Sequence, residues 1–490
     1  MDKAAAEREA IRLWHNLPVQ DRLTRGQASA FAHMIAPTID FGEPDKRAKL
    51  IESWIAKELP RTDAAFTLSA EGSGGQPRLA PPPWPQREGA SAIALVISLL
   101  IMIARRPDVV ADARLWAEDG AVWFADAYNF GPLAPLLTPH GGYLQLFPRI
   151  IFAVAAFLPL QAVPAVAVWV GLLLRAALPA FVFSSRFSWI DWRAKVAVTA
   201  YFLLMPNLAE VHANIQNTSW YLGLYLLAVV LADPPRSRRW QLHDWVVLLI
   251  AGATGPLVLF ILPCLGLRTL AQRGTPAVRL PFVAVALALS TVQVFLMLLT
   301  GRTTGAFSLA GTDALTALQI FGSRVALGFL TPARWSTVLG DQTIALPVVA
   351  AAMAMAVAVL VRGNWKARGV GVIAPLIVLA ALYTPILGFV RTQWRPLLGI
   401  DEPGYYVVTN MAWASTLIFF AALLLPRLSS FALAAIVGVC GFLILFEFTL
   451  PPVQGPAFGP QVQLVRAAPV GETVVVPISP PGWQMALIKH

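Results

Sequence analysis

Long apolar runs separated by short polar segments fill most of the chain between residues 90 and 450. The runs that predict single crossings lie at 90–104, 165–183, 196–208, 221–232, 280–299, 344–361, 370–389, 405–425 and 431–450. The run at 245–267 has basic residues at both ends and a Gly-Ala-Thr-Gly-Pro break at 252–256, which predicts a hairpin of two short helices. Together these runs predict an all-α, polytopic transmembrane bundle of about eleven spans.

Polar segments flank this predicted transmembrane domain at 90–450. Residues 1–63 carry apolar positions at helical spacing, which predicts a small cytoplasmic region of amphipathic helices. Residues 64–89 are rich in Gly and Pro and predict a linker. Residues 451–490 follow the last run as a tail. The chain is therefore expected to have four parts.

Basic residues are concentrated in short segments between the runs, which indicates that these segments face the cytoplasm. These segments are 186–195, 233–239 and 362–368. The N-terminus is then cytoplasmic, and two long polar segments, 105–143 and 301–342, face outward together with the C-terminus. This topology is expected for a protein of the plasma (inner) membrane. Because nucleotide sugars and ATP are absent outside, a donor for group transfer there must come from the lipid phase.

Composition supports a membrane protein and excludes several other classes. The 490 residues are 57% hydrophobic and only 13% charged, whereas a soluble domain carries roughly a quarter charged residues. The net charge of +10 could indicate nucleic acid, but the basic residues lie beside apolar runs, so no nucleic-acid partner is expected. Cys264 and Cys440 lie inside apolar runs, which favours buried thiols over a disulfide or a zinc site.

Three carboxylates follow the first apolar run, at Glu118, Asp119 and Asp126. Beside a bilayer, a carboxylate has a raised pKa and becomes a suitable general base for an acceptor hydroxyl. With α-helical spacing, Asp119 and Asp126 would share one face. The alternative is an acid that caps a loop or pairs with Arg114.

Hydrogen-bonding residues also follow in the stretch 140–149. His140, Tyr143 and Gln145 suit sugar hydroxyls, and the two glycines after His140 let the backbone approach a ligand. The alternative is a turn that leads into a helix whose Arg149 reaches the lipid interface. The apolar run at 144–160 predicts an outer-face juxtamembrane helix, with a full crossing as the competing interpretation.

An uncharged polar turn at 214–220 carries Asn214, Asn217 and Trp220. Amide and indole groups of this kind can line a sugar site, whereas ordinary turn chemistry is the alternative.

Arginines in the outer segments form a further set of candidates. The forked N–H donors of a guanidinium match the oxygens of a lipid-linked phosphate. The alternative is that these arginines anchor the protein to lipid phosphates at the membrane interface through the same interaction. These arginines are Arg302, Arg324, Arg334, Arg391 and Arg395.

Five short motifs together resemble those of the GT-C superfamily of polytopic glycosyltransferases. They are Glu118-Asp119-Gly120, the stretch 142–149, the basic loop 186–195, the turn 214–220 with the break at 252–256, and Gly404-Tyr405-Tyr406. The resemblance covers about 90–450 and implies a GT-C fold that uses polyprenyl-phosphate-linked sugars.

The resemblance also implies roles for particular residues. An acid of the first outer loop would be the general base; Asp119 matches best and Glu118 is the alternate. Pro403 and Gly404 replace the arginine that usually precedes the aromatic pair, so another arginine must bind the phosphate. The candidates for this role are Arg391, Arg395, Arg324 and Arg302. No cofactor is implied, and a divalent metal on the acids is left open.

The sequence therefore predicts a membrane glycosyltransferase that moves a sugar from a polyprenyl-phosphate carrier to a cell-envelope glycan, lipid or protein. Its substrate-binding candidates are Asp126, His140, Tyr143, Gln145, Asn214, Asn217 and Trp220. The alternative is a transporter or flippase for a lipid-linked or amphiphilic solute, which a polar path through the bundle would favour. A non-catalytic assembly factor is a third hypothesis.

Overall fold

The computed structural model is mostly helical. It describes residues 2–17, 25–58, 89–271, 280–300, 318–329, 343–344, 346–351, 354, 404, 406–424, 434, 438, 441–442 and 446–490. The chain divides into two units, Met1–Ala80 and Pro81–His490.

The described residues of the first unit form three helices with a core of their own. The helices are α1 (Lys3–His15), α2 (Arg25–Ile35) and α3 (Pro44–Glu58). Asp2 caps α1, because its side chain accepts a hydrogen bond from the Ala5 amide at 2.6 Å. Trp14 packs against Phe31 with ring centroids 5.2 Å apart. Buried aromatic side chains therefore hold these amphipathic helices together.

The second unit contains most of the helices. They are α4 (Ala90–Arg105), α5 (Asp108–Ala111), α6 (Ala125–Phe130), α7 (Leu146–Ala155), α8 (Val163–Val182), α9 (Trp192–Leu204), α10 (Thr218–Leu231), α11 (Arg238–Gly252), α12 (Leu257–Ala271), α13 (Leu280–Leu299), α14 (Tyr406–Leu424) and α15 (Phe458–Ala467). The described residues also contain two π-helical turns, Asp119–Phe124 and Phe321–Ala326, and two 3-10 turns, Leu160–Ala162 and Ser185–Phe187. Helix α10 is central, and ten of its residues are buried. At Gly223 a side chain would clash with Leu257 Cδ1, so glycine allows α10 and α12 to pack closely.

The prediction of about eleven spans is wrong for the part of the chain that the structure describes. Two helices there are long and apolar enough to cross a membrane, Leu160–Val182 and Leu280–Leu299, and 56% of the most apolar window of the first is buried inside the protein. Other runs form shorter helices; α4 has 16 residues and α10 has 14, whereas a crossing needs about 20. Apolar runs of this length also form buried core helices, and periodicity alone does not separate the two cases.

Some of the predicted crossings cannot be compared with the structure. The run at 370–389 lies outside the described residues, and those at 344–361 and 431–450 are described at only a few positions.

The all-α prediction is also wrong, because the tail contains a β-hairpin. Strands β1 (Thr473–Pro477) and β2 (Gln484–Ile488) are antiparallel, with Thr473 opposite Ile488 and Pro477 opposite Gln484. The β-branched sequence Thr-Val-Val-Val favours an extended strand. Met485 and Leu487 of β2 are fully buried in a hydrophobic cluster that also contains Trp123. The tail is thus packed against the segment that carries the three acids.

Candidate functional site

The tail holds the backbone just before the acid pair. The Ala117 amide donates to the Ser479 carbonyl at 2.6 Å, and the Ser479 amide donates to the Leu115 carbonyl at 3.2 Å. A side chain on Gly120 would lie 2.8 Å from Ile478 Cδ1, so the tail touches the chain on both sides of the acids. Ala117 has a φ of +45°, a strained conformation that this pairing maintains.

Asp119 is 1% exposed, and both of its carboxylate oxygens accept backbone hydrogen bonds. The Ile215 amide donates to Oδ2 at 3.1 Å, and the Gln216 amide donates to Oδ1 at 2.7 Å. Burial raises the pKa of Asp119 to about 8; the two amides act in the opposite direction, and Glu118 adds a further rise. Asp119 therefore joins the acid segment to the 214–220 turn. Glu118, its neighbour, is only half-buried.

The alternative prediction, an acid that caps a loop or pairs with Arg114, therefore describes part of what Asp119 does. Arg114, the predicted partner, contacts other groups instead. Arg114 pairs with Asp112 and donates to the carbonyls of Val453 and Gly455 at 3.0 and 2.6 Å. It fixes the segment against the tail rather than pairing with Asp119.

The 214–220 turn is built by its own amide side chains. Asn214 Nδ2 donates to the Glu210 carbonyl at 2.6 Å, and Asn214 Oδ1 accepts from the Asn217 amide at 3.1 Å. Asn217 Nδ2 also donates to Asn214 Oδ1 at 3.1 Å. This is the ordinary turn chemistry that the sequence left as an alternative, and it leads directly into α10. Trp220, on the first turn of α10, is half-buried.

Gly404 and Arg324 approach this turn from two distant parts of the chain. A side chain on Gly404 would lie 3.3 Å from both Asn217 Oδ1 and Trp220 Nε1. Two residues further on, the ring of Tyr406 lies 4.7 Å from the guanidinium carbon of the buried Arg324. A guanidinium on an aromatic ring gains a cation–π attraction, which fixes its position. Arg324 is therefore linked to the turn through Tyr406 and Gly404.

Tyr143 and Gln145 approach the same turn through the break at 252–256. Backbone hydrogen bonds join the two segments: Leu146 donates to Ala253 at 3.0 Å, and Gly255 donates to Leu144 at 2.8 Å. At Gly255, whose φ is +90°, a side chain would lie 3.6 Å from Ser219 Cβ and 3.8 Å from Tyr143 Cε2. The Gln145 side chain is buried, and its Oε1 has no hydrogen-bond partner among the described residues.

Asp126 and His140 lie in a separate group around Trp123. Arg149 donates to Asp126 Oδ2 at 3.0 Å, and its guanidinium lies 5.1 Å from the Trp123 ring centroid. The His140 ring packs edge-on against Trp123 at 4.8 Å. The expectation that Asp126 and Asp119 share one helix face assumed α-helical geometry. Residues Asp119–Phe124 instead form a π-helical turn with i→i+5 hydrogen bonds, which changes the angle between the two side chains around the helix axis. The two carboxylates accordingly contact different partners, and Arg149 is buried rather than at an interface.

The buried Arg175 contacts His212, two residues before the turn. Arg175 donates to His212 Nδ1 at 3.2 Å and to the Phe202 carbonyl at 3.1 Å. Because arginine only donates, His212 is neutral with its proton on Nε2, which donates to the Met102 carbonyl at 3.1 Å. Burial lowers the pKa of His212 well below its usual value, and the charge of Arg175 lowers it further.

The remaining arginine candidates, Arg302, Arg334, Arg391 and Arg395, lie outside the described residues. Within those described, no group of three His, Cys, Asp or Glu side chains could hold a metal ion.

Sequence reasoning missed the contacts of Tyr406 and Ser479. The Gly-Tyr-Tyr motif pointed to the region of Tyr406. Nothing near Ser479 signals its pairing with a segment more than 350 residues earlier.

Comparison with family models, curated proteins and solved structures gives no match to this chain. The resemblance to GT-C glycosyltransferases therefore stays an expectation that depends on the sequence motifs alone.

Proposed function

We propose that this chain is a membrane-associated glycosyltransferase that moves a sugar from a polyprenyl-phosphate carrier to an acceptor hydroxyl at the outer face of the membrane. The observation that carries the proposal is the meeting of four distant segments at the 214–220 turn. Four residues bring these segments to the turn. Asp119 and Gly404 reach it directly, Tyr143 reaches it through Gly255, and Arg324 reaches it through Tyr406 and Gly404. Such a meeting supplies an acid, an aromatic wall and a guanidinium in one region, which are the groups that this transfer needs.

A membrane location is part of the proposal. Helix α13 has 20 residues, and only 22% of its most apolar window is buried inside the protein. Leu280, Phe295 and Leu299 on this helix are exposed. An apolar surface of this length matches the hydrocarbon thickness of a bilayer.

Glu118 is the proposed proton acceptor, with Asp119 as the residue that positions it. Asp119 is buried and already accepts two backbone hydrogen bonds, whereas Glu118 is only half-buried as a residue, although its Oε2 is buried. In the reaction the acceptor oxygen bonds to the anomeric carbon and its proton passes to Glu118. The bond from that carbon to the phosphate oxygen breaks, and Arg324 stabilises the negative charge on the released polyprenyl phosphate.

The first test replaces each acid with its amide. Glu118→Gln should lower kcat by at least about a hundredfold, because general base catalysis contributes that much, and should leave thermal stability unchanged. Asp119→Asn should lower both stability and kcat, since an amide nitrogen would face a backbone N–H. The measurement is sugar transfer from a polyprenyl-phosphate donor by the purified full chain, with thermal unfolding alongside.

Three results of this test lead to different conclusions. Loss of transfer in a folded Asp119→Asn variant, with a fully active Glu118→Gln variant, would make Asp119 the base. Full activity in both variants would remove the proposed chemistry. Uptake of lipid-linked sugar into vesicles without transfer would favour the transporter instead.

The second test concerns Arg324. Arg324→Lys keeps the charge but loses the planar fork, and Arg324→Gln loses both. We expect the donor KM to rise about tenfold in the lysine variant and further in the glutamine variant. Exposed Arg466 is the matched control, and Arg466→Gln should leave KM unchanged. An unchanged donor KM in both Arg324 variants would exclude Arg324 as the phosphate partner.

A further inference from the structure

An open, mostly apolar groove of about 870 Å³ lies between α8, α9, α10 and α14. Side chains from all four helices form its walls. They include Val182, Val198, Leu224, Leu227, Leu231 and Met411. A groove with walls of this apolar character fits a hydrocarbon chain better than a polar solute.

Lys195 lines this groove and is 4% exposed. No hydrogen bond or ion pair of its ammonium occurs among the described residues. Burial lowers the pKa of Lys195, and the more distant Asp233 and Asp191 act in the opposite direction. One helical turn later, Thr199 also lines the groove, and its hydroxyl has no partner in the described part of the chain. Residues four apart share a helix face, so the ammonium and the hydroxyl lie on the same side of α9.

A nearby arginine shows how a buried cation is normally accommodated. Arg186 is equally buried, and it forms two hydrogen bonds to Asp244, at 3.0 and 2.8 Å. Among the described residues, Lys195 has no carboxylate within ion-pair distance, and Asp233 and Asp191 act on it only from further away. Because a buried charge without a counter-ion is strongly unfavourable, the position of Lys195 calls for an anion from outside the chain.

We propose that this groove binds an acidic phospholipid, with an acyl chain between α9, α10 and α14 and the phosphate against Lys195. The Thr199 hydroxyl donates a second hydrogen bond to the phosphate oxygens. The charge of the ligand follows from the unpaired ammonium, and its tail follows from the apolar walls.

The groove is separate from the candidate transfer site. Helix α10 begins at Thr218, beside the turn that Asp119 holds, and ends at Leu231, which lines the groove. These two residues are 13 positions apart on the helix, which corresponds to about 20 Å along the helix axis. A phosphate at Lys195 is therefore not the phosphate that would leave next to the acid pair, so this inference does not depend on the transfer reaction.

The test measures lipid binding to the purified full chain. Native mass spectrometry and thermal unfolding are recorded with dioleoylphosphatidylglycerol and, separately, with dioleoylphosphatidylcholine. We expect saturable binding of the anionic lipid, at least tenfold tighter than that of the zwitterionic lipid. Lys195→Gln should remove this preference and Lys195→Arg should retain it.

Two further variants separate the charge from the groove. Ala228→Phe fills the wall of the groove without changing any charge and should weaken both lipids. Arg193→Gln removes an exposed basic residue two positions from Lys195 and should leave the preference intact. If Lys195→Gln does not fold, Ala228→Phe and Thr199→Val still test the site.

Three outcomes would overturn the proposal. Equal affinity for the two lipids would show that charge is not recognised. An unchanged preference in Lys195→Gln would place the anion elsewhere. Displacement of phosphatidylglycerol by a much lower concentration of polyprenyl phosphate would make the isoprenoid carrier the occupant.

Discussion

Asp119 and Lys195 are both almost completely buried, yet their surroundings differ. Asp119 has two backbone amides directed at its oxygens, whereas Lys195 has no hydrogen-bonding partner among the described residues. The carboxylate is therefore part of the fold, since it holds the turn that begins α10. The ammonium is a charge that no described residue satisfies by a hydrogen bond or an ion pair. A buried ionisable group with partners indicates a structural role, and a buried charge without partners indicates a missing ligand.

Two other buried charges support this distinction. Arg175 donates to two neutral acceptors, His212 and the Phe202 carbonyl, and so resembles Asp119 in having uncharged hydrogen-bond partners, although its Nε has none among the described residues. Arg149 is instead paired with the opposite charge of Asp126. Lys195 differs from Asp119, Arg175 and Arg149 because its ammonium has no hydrogen bond or ion pair among the described residues.

The largest expected effect is the pH dependence of stability that Asp119 produces. Its pKa is about 8 in the folded chain and about 3.9 when unfolded, so the folded state binds more protons between these values. The stabilising contribution is fully present below pH 4 and is lost as the pH rises through 8. The unfolding free energy should fall by at most about 5 kcal/mol over this range.

Urea unfolding of the full chain at several pH values measures this fall. Asp119→Asn should flatten the dependence, with Asp126→Asn as the control that keeps it. An equally steep decline in the Asp119→Asn variant would show that another group is responsible.

Replacing one partner of the Arg149–Asp126 pair should have an intermediate effect. Arg149→Met leaves Asp126 without its cation and removes a cation–π contact with Trp123. We expect a loss of about 2 kcal/mol, below the value for a fully buried pair because Asp126 is partly exposed. A double-mutant cycle with Asp126→Asn measures the coupling. Simple additivity would mean that the pair itself contributes nothing.

The smallest effect, with the opposite sign, is expected at Lys195. In phosphatidylcholine alone, Lys195→Met removes an unpartnered buried charge and should raise stability by about 1 kcal/mol. The unfolding temperature should rise by about 1–2 °C. In phosphatidylglycerol this advantage should disappear. A destabilised Lys195→Met variant in phosphatidylcholine would mean that the ammonium is already satisfied, which would end the contrast with Asp119.

Local patterns predicted parts of the candidate site. The acid pair, the 214–220 turn and the break at 252–256 were each identified from a few adjacent residues, because turn-forming and polar residues stand out against apolar runs. Their mutual contacts could not be predicted. The pairing of Ser479 with Leu115 and Ala117 joins segments that are distant in sequence, and the spacing of the acids did not reveal the π-helical turn that begins at Asp119.

The amino-acid sequence by itself determined that most of the chain is apolar and helical, because composition and spacing act locally. It also identified which polar residues are exceptional. Only the tertiary structure decided which apolar runs cover one another and which buried charges have partners. The reason is physical: hydrophobic burial has no direction, so an apolar helix packs equally well against lipid or protein, whereas hydrogen bonds and ion pairs depend on the final positions of atoms.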